Sequence, residues 1–132
     1  MNQFRGNIEG IEVSGSLSLV RVRVAEFLLS AIIIDTPDTL HYLEPGREVS
    51  VVFKETEVVL GTSSNLTVSL QNRIPGTVAA IEHGQLLSRV TLDTNLGPLV
   101  SVITSKAVTQ LGFAEGSAAV ALIKTNEMML SA

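Results

Sequence analysis

The chain carries nearly the same text twice, 70 residues apart. Laid without a gap, residues 2–60 meet residues 72–130 with identity at Asn2, Gly6, Ile11, Glu12, Leu17, Ser18, Val20, Leu29, Ile33, Thr39, Gly46, Lys54, Glu57 and Leu60. About a quarter of the positions coincide, where unrelated segments of ordinary composition agree at well under a tenth. Many others are conservative, such as Ile8 on Val78 and Phe53 on Ile123. Such a chain folds as two copies of one small module, and its function is one that a doubled module performs.

Modules of about 60 residues bury a modest fraction of their surface and are marginal alone. With no cysteine, neither disulfides nor thiolate-bound zinc supplies the missing stability. Burial against the other repeat or another subunit remains, and 45% hydrophobic with 17% charged residues agrees with that. Mean hydropathy is +0.39, high for a soluble monomer, so an oligomer is expected. The net charge of −4 argues against a surface that tracks nucleic-acid phosphates. The apolar run at residues 27–34 is far too short to cross a bilayer. No apolar signal segment follows Met1. The expectation is a cytoplasmic protein that contacts neither membrane nor nucleic acid.

In the second copy, residues 76–81 form a β-branched run ending at Glu82-His83-Gly84, and residues 88–93 alternate, with Val90 and Leu92 on one face. After the turn Asn95-Leu96-Gly97-Pro98 comes a third strand at 99–103. Residues 105–111 read as a helix, capped by Thr104 and Ser105 and stopped at Gly112 by a left-handed residue. Strands at 118–124 and 128–130 follow. The first copy repeats the order, with Thr36-Pro37 opening its own short helix, since proline suits a first helical position. The expected fold is all-β: two tandem OB-like five-stranded barrels, each with one short helix. The module boundaries are 1–61 and 68–132, with 62–67 as a polar linker.

The helix start at Thr104-Ser105 offers hydroxyls, free backbone N–H groups and a favourable dipole to an anion. Lys124 at a strand end supplies a cation, and Ser69 and Asn72 supply neutral donors. Taken as residue types alone, the favoured reading is that Thr104 and Ser105 are just caps and Lys124 is a solvated strand-end lysine, since such signals are common. Catalysis is not expected. His41 and His83 are not at equivalent positions and have no metal-ligand spacing, and no Ser/His/Asp order, HExxH pattern or glycine-rich phosphate loop occurs. Single-strand binding needs stacking aromatics in a basic groove. Four Phe, one Tyr and the strand-face pair Arg21 and Arg23 do not make one.

Ser69-Leu70-Gln71-Asn72-Arg73-Ile74-Pro75-Gly76-Thr77-Val78 resembles the opening Ser-Ala-Arg-Asn-Gln-x-x-Gly-x-Val of the Mop, or molbindin, family. The likeness continues through Val102-Ile103-Thr104, Leu111-Gly112-Phe113 and Glu115-Gly116. It closes at Lys124-Thr125-Asn126-Glu127-Met128-Met129, similar to the family's Lys-x-x-x-Val-Met. Through the repeat it covers the first copy as well. The resemblance implies a di-Mop protein that binds molybdate or tungstate in the cytoplasm, has no organic cofactor, and assembles, a trimer being favoured, so that oxyanions sit between modules. It implies oxyanion contacts from Ser69, Asn72, Thr104 and Lys124, and from the segments around Leu70, Gln71, Ser105 and Ala107. Gln71 stands where the family usually has Arg, and Ala107 where it often has Ser.

In the first copy Asn2 and Lys54 match, Ile34 replaces Thr104, and Pro37 replaces Ala107 with loss of an N–H. Asp35 and Asp38 add negative charge there, so the two helix-start half-sites are expected to be unequal. The leading expectation is a non-catalytic protein that stores or buffers molybdate. The alternatives are the ligand-sensing or accessory module of a molybdate-responsive regulator or transporter and, third, an OB-type nucleic-acid binder.

Overall fold

The computed structural model describes residues 1–132. In chain order its strands are β1 (Asn2–Ser14), β2 (Leu17–Val24), β3 (Phe27–Ile33), β4 (Glu48–Phe53) and β5 (Val59–Gly61), then β6 (Asn72–Glu82), β7 (Leu87–Thr94), β8 (Gly97–Thr104), β9 (Ala118–Ile123) and β10 (Met129–Ser131). One α-helix, α1 (Ser105–Leu111), follows β8, and 3₁₀ turns at Glu55–Glu57 and Thr125–Glu127 precede the last strand of each repeat. No helix is long and apolar enough to cross a membrane.

The long opening strand of each repeat serves two neighbours. Residues 2–7 of β1 pair with β4 and residues 7–14 with β2. A bulge between Ile8 and Gly10 bends the strand between these halves, and β6 has its bulge at the equivalent place, between Val78 and Ala80. The repeated glycine lies just before the bend. A Cβ on Gly6 would stand 2.4 Å from the Arg23 carbonyl oxygen, and one on Gly76 would stand 2.7 Å from that of Asp93. Close backbone approach therefore explains this identity between the copies. Inward residues of the bent sheets, among them Val20, Val22, Phe53, Ile74, Leu92 and Ile123, form one hydrophobic cluster spanning both repeats.

Sheet order shows how the copies are joined. One five-stranded antiparallel sheet runs β10-β4-β1-β2-β3 and the other β5-β9-β6-β7-β8. The last strand of each repeat thus completes the sheet of the other. Val59, Leu60 and Gly61 pair with Leu122, Ala121 and Val120, and reciprocally Met129, Leu130 and Ser131 pair with Val52, Val51 and Ser50.

A second reciprocal joint reinforces the exchange. The Asn72 carboxamide donates to the Ser30 carbonyl (2.9 Å) and accepts from the Ser30 N–H (2.7 Å). Asn2 does the same with Val100, at 2.8 Å for both bonds. Ser30 and Val100 lie on β3 and β8, the outer strands of their sheets, so each asparagine continues a ladder that no strand continues.

The helix expected in the first copy is absent. Residues 36–43 form successive turns: the amides of Thr39 and Leu40 both donate to the Thr36 carbonyl, and Leu43 N–H donates to Leu40. Thr39 Oγ1 takes the Thr36 N–H (2.8 Å) and donates toward Asp35, closing the segment on its own side chains. Asp, Thr and Pro in succession compete with helical bonding in this way. In α1, by contrast, Ser105-Lys106-Ala107-Val108 enters behind a good cap and ends at Gly112 with φ 67°.

Candidate functional site

Strand exchange divides the candidate residues into two groups. Asn2 opens β1 opposite Phe53, so Lys54 lies beside the start of the chain, and the 3₁₀ turn that follows packs on β8 of the second repeat. Residues 56 and 58–60 then border a groove shared with Leu87, Val102, Ile103, Thr104, Ala107 and Leu111. Thr104 therefore meets the closing segment of the first repeat rather than that of its own. In the second group Asn72 faces Ile123, so Gln71 falls beside Lys124, and the 3₁₀ turn after Lys124 packs on β3 of the first repeat. Ser69, Leu70 and Gln71 precede β6 in irregular chain, with Ser69 and Gln71 exposed.

At the start of α1 several groups already have partners. Thr104 Oγ1 accepts the Ala107 N–H (3.1 Å), leaving its own O–H free to donate. Ser105 Oγ donates to the Gly84 carbonyl (2.6 Å), its amide donates to Leu86 (2.9 Å), and Ser88 Oγ lies 2.7 Å away. Ser105 thus ties the helix to the β6–β7 turn. No side chain or loop carbonyl takes the Lys106 N–H, which leaves Thr104 O–H and the Lys106 amide as the outward donors. Asn2 and Asn72 are buried, with both ends of each carboxamide spent on the opposite repeat.

The electrostatics of the two repeats differ. Arg5, Arg21, Arg23, Arg47 and Arg89 each pair with a glutamate, whereas Lys54, Arg73, Lys106 and Lys124 have no such partner. The unpaired cations are those at or next to the candidate residues. Arg21 and Arg23, the one sequence hint of a nucleic-acid face, are neutralised by Glu12 and Glu9; the Arg23 hydrogen bond also holds Glu9 below the usual carboxylate range. In the first repeat the place of the helix start is a hollow lined by Gly15, Ser16, Ile34, Asp35, Thr36, Asp38 and Thr39, with two carboxylates and no cation. The equivalent residues Glu57 and Glu127 face each other. Burial and a hydrogen bond to Glu57 push the Glu127 carboxyl above its ordinary range, against the pull of Lys124.

Lys106 was legible in the sequence as a first-turn residue beside free amides. Two features escaped the sequence reading. The approach of residues 56 and 58–60 to Thr104 had no local signal, because it follows from the exchange. Arg73, with its guanidinium turned onto the linker, had no sequence signal.

The TOBE domain model matches twice, over residues 1–60 and 69–130. The chain is 33% identical over 132 residues to the molybdenum transport protein ModE of Azotobacter vinelandii, covering 98% of this chain and 49% of that protein. It is 33% identical over 105 residues to the molybdenum-pterin-binding protein MopA of Rhodobacter capsulatus, covering 78% of this chain and 40% of that one. The chain thus spans about half, or less, of these relatives. Among solved structures it is similar to the cytoplasmic molybdate-binding protein ModG with molybdate bound: 30% identity, TM-score 0.91, and coverage of 98% of this chain and 94% of that one.

Proposed function

The chain belongs to the TOBE-domain family, and from that premise we propose that it binds molybdate, and tungstate comparably, as a non-catalytic cytoplasmic store or buffer. The observation that carries the reading is the match along almost the whole chain to a molybdate-bound relative. The unpaired cations support it, because a dianion is held by charge-assisted hydrogen bonds from lysines, hydroxyls and amides. Thr104 and Lys106, approached by the segment after Lys54 across the strand exchange, form one half-site; Ser69, Leu70 and Gln71 beside Lys124 form the other. Asn2 and Asn72 hold these segments in place from the buried side. Each half-site is open, and a second copy of the chain completes it. Exposed Val59, Leu86, Leu87 and Leu111 supply apolar surface for a homo-oligomer, a trimer being favoured.

Calorimetric titration of the purified protein with molybdate, tungstate and sulfate tests the reading. Heat and stabilisation are expected with the first two and much less with sulfate, whose smaller size leaves some donors out of reach. Absence of binding to either metal oxyanion at millimolar concentration would refute it. Light scattering gives the assembly, and a mass near 14.0 kDa would remove the oligomer. A second reading, a ligand-sensing or accessory module of a molybdate-responsive regulator or transporter, is favoured by the likeness to the molybdenum transport protein ModE, of which this chain corresponds to 49%. Molybdate-dependent association with a DNA-binding partner would decide for it.

A further inference from the structure

The segment between the repeats, residues 62–71, takes part in none of the backbone–backbone hydrogen bonds made outside helices and strands. A polar stretch without such bonds is ordinarily loose. Here one side chain gathers it. Arg73 Nε donates to the Leu70 carbonyl (3.0 Å), Nη1 to those of Ser64 (2.9 Å) and Leu66 (2.6 Å), and Nη2 to that of Val68 (3.0 Å). No carboxylate pairs with this guanidinium, so its charge is spread over carbonyl oxygens and stays uncompensated beside Ser69 and Gln71. Leu66 fixes the far side, with its side chain lying where a Cβ on Gly61 would come within 2.5 Å of Cδ1. The equivalent residue of the first repeat, Gln3, reaches only Ser50 Oγ (3.3 Å).

We propose that Arg73 is a positioning residue for oxyanion binding: by gathering the carbonyls of Ser64, Leu66, Val68 and Leu70 it holds the Ser69–Gln71 segment in one conformation, with the donors of that segment left for the anion. This deepens the function proposed above and rests on it. The planar fork matters as well as the charge, because lysine cannot bridge carbonyls spread along the segment.

The experiment compares Arg73→Gln and Arg73→Lys with the wild-type protein by backbone amide order parameters, thermal melting and molybdate calorimetry. Both variants are expected to show lower order parameters over residues 62–71, to melt close to wild type, and to bind molybdate at least about tenfold more weakly. Unchanged order parameters in both variants overturn the clasp. Lower order parameters with unchanged affinity overturn the positioning role, as does wild-type affinity in Arg73→Lys, which would show that charge alone suffices. If Arg73→Gln fails to fold, Arg73→Lys carries the comparison. Wild-type protein that binds no molybdate removes the underlying function, and the positioning role with it. Binding by wild type together with unchanged order parameters removes this proposal alone.

Discussion

The two repeats have the same strand order, the same bulge, the same buried asparagine and the same exchanged last strand, yet they differ sharply between the third and fourth strands. In the second repeat Thr104 caps a helix whose first turn carries Lys106. In the first, Ile34 is 78% exposed and leads into turns closed by Thr39 beside Asp35 and Asp38. What is shared are the joints that hold one repeat to the other, and what differs is the segment facing solvent. The scaffold is thus common to both copies, and the one helix start, with Lys106 in its first turn, belongs to the second.

The joints provide the largest expected effect. Asn72→Ala leaves the Ser30 N–H and carbonyl without their partner, and Asn2→Ala does the same at Val100. Each substitution should cost about 3 kcal/mol in denaturant unfolding. Similar losses are expected because the joints are equivalent; a loss at one position alone would show that they are not.

Binding sharpens the contrast. Lys54→Ala and Lys124→Ala should each weaken molybdate binding by about 1.5–3 kcal/mol, roughly tenfold to more than a hundredfold. The exchange also makes a specific demand on pairs. Thr104→Val should couple to Lys54→Ala by more than about 0.5 kcal/mol in a double-mutant cycle, and add independently to Lys124→Ala. The opposite result in calorimetry would show that Thr104 is served by its own repeat. Unchanged binding in both Lys124→Ala and Thr104→Val, with folding confirmed, would refute the site.

A smaller effect is expected in the segment that lost its helix. Ile34→Val should leave affinity unchanged and stability within about 0.5 kcal/mol, as is usual for an exposed side chain. A measurable loss of binding would give the first repeat a role that its carboxylates oppose.

The least effect concerns Glu127. Its folded carboxyl titrates above the unfolded one, through burial and the hydrogen bond to Glu57. The folded state therefore holds a proton more tightly, and this contribution is present at low pH and lost as pH rises through the raised value. Glu127→Gln should flatten the shallow fall in melting temperature just above the ordinary carboxylate range. An unchanged pH profile would remove the Glu57–Glu127 contact from the account.

Much of the fold was legible because its signals are local. Val90 and Leu92 alternate with polar residues and Gly112 stops α1, whereas the identity of Gly6 with Gly76 was legible only as part of the repeat and its close backbone approach only in the fold. The helix read at Thr36-Pro37 was misleading because proline at a first helical position states only that a helix is permitted. Asp35 and Thr39 supplied local bonds that compete with it. For the candidate site, the residue types were readable in sequence, but their grouping was not.

The sequence by itself determined that there are two like modules, which strands they contain, where a helix stands, and that cations and hydroxyls recur near their ends. Only the tertiary structure decided that β5 and β10 change places, that Asn2 and Asn72 face the opposite repeat, and that Thr104 is approached by the segment after Lys54. The reason is physical. Side-chain periodicity records which face of a strand is buried, whereas the ladder is made by backbone N–H and C=O groups that are the same in every residue. A strand of three residues, such as Val59–Gly61, carries too little pattern to name its partner, so the path of the 3₁₀ turn and the asparagine joints make the choice.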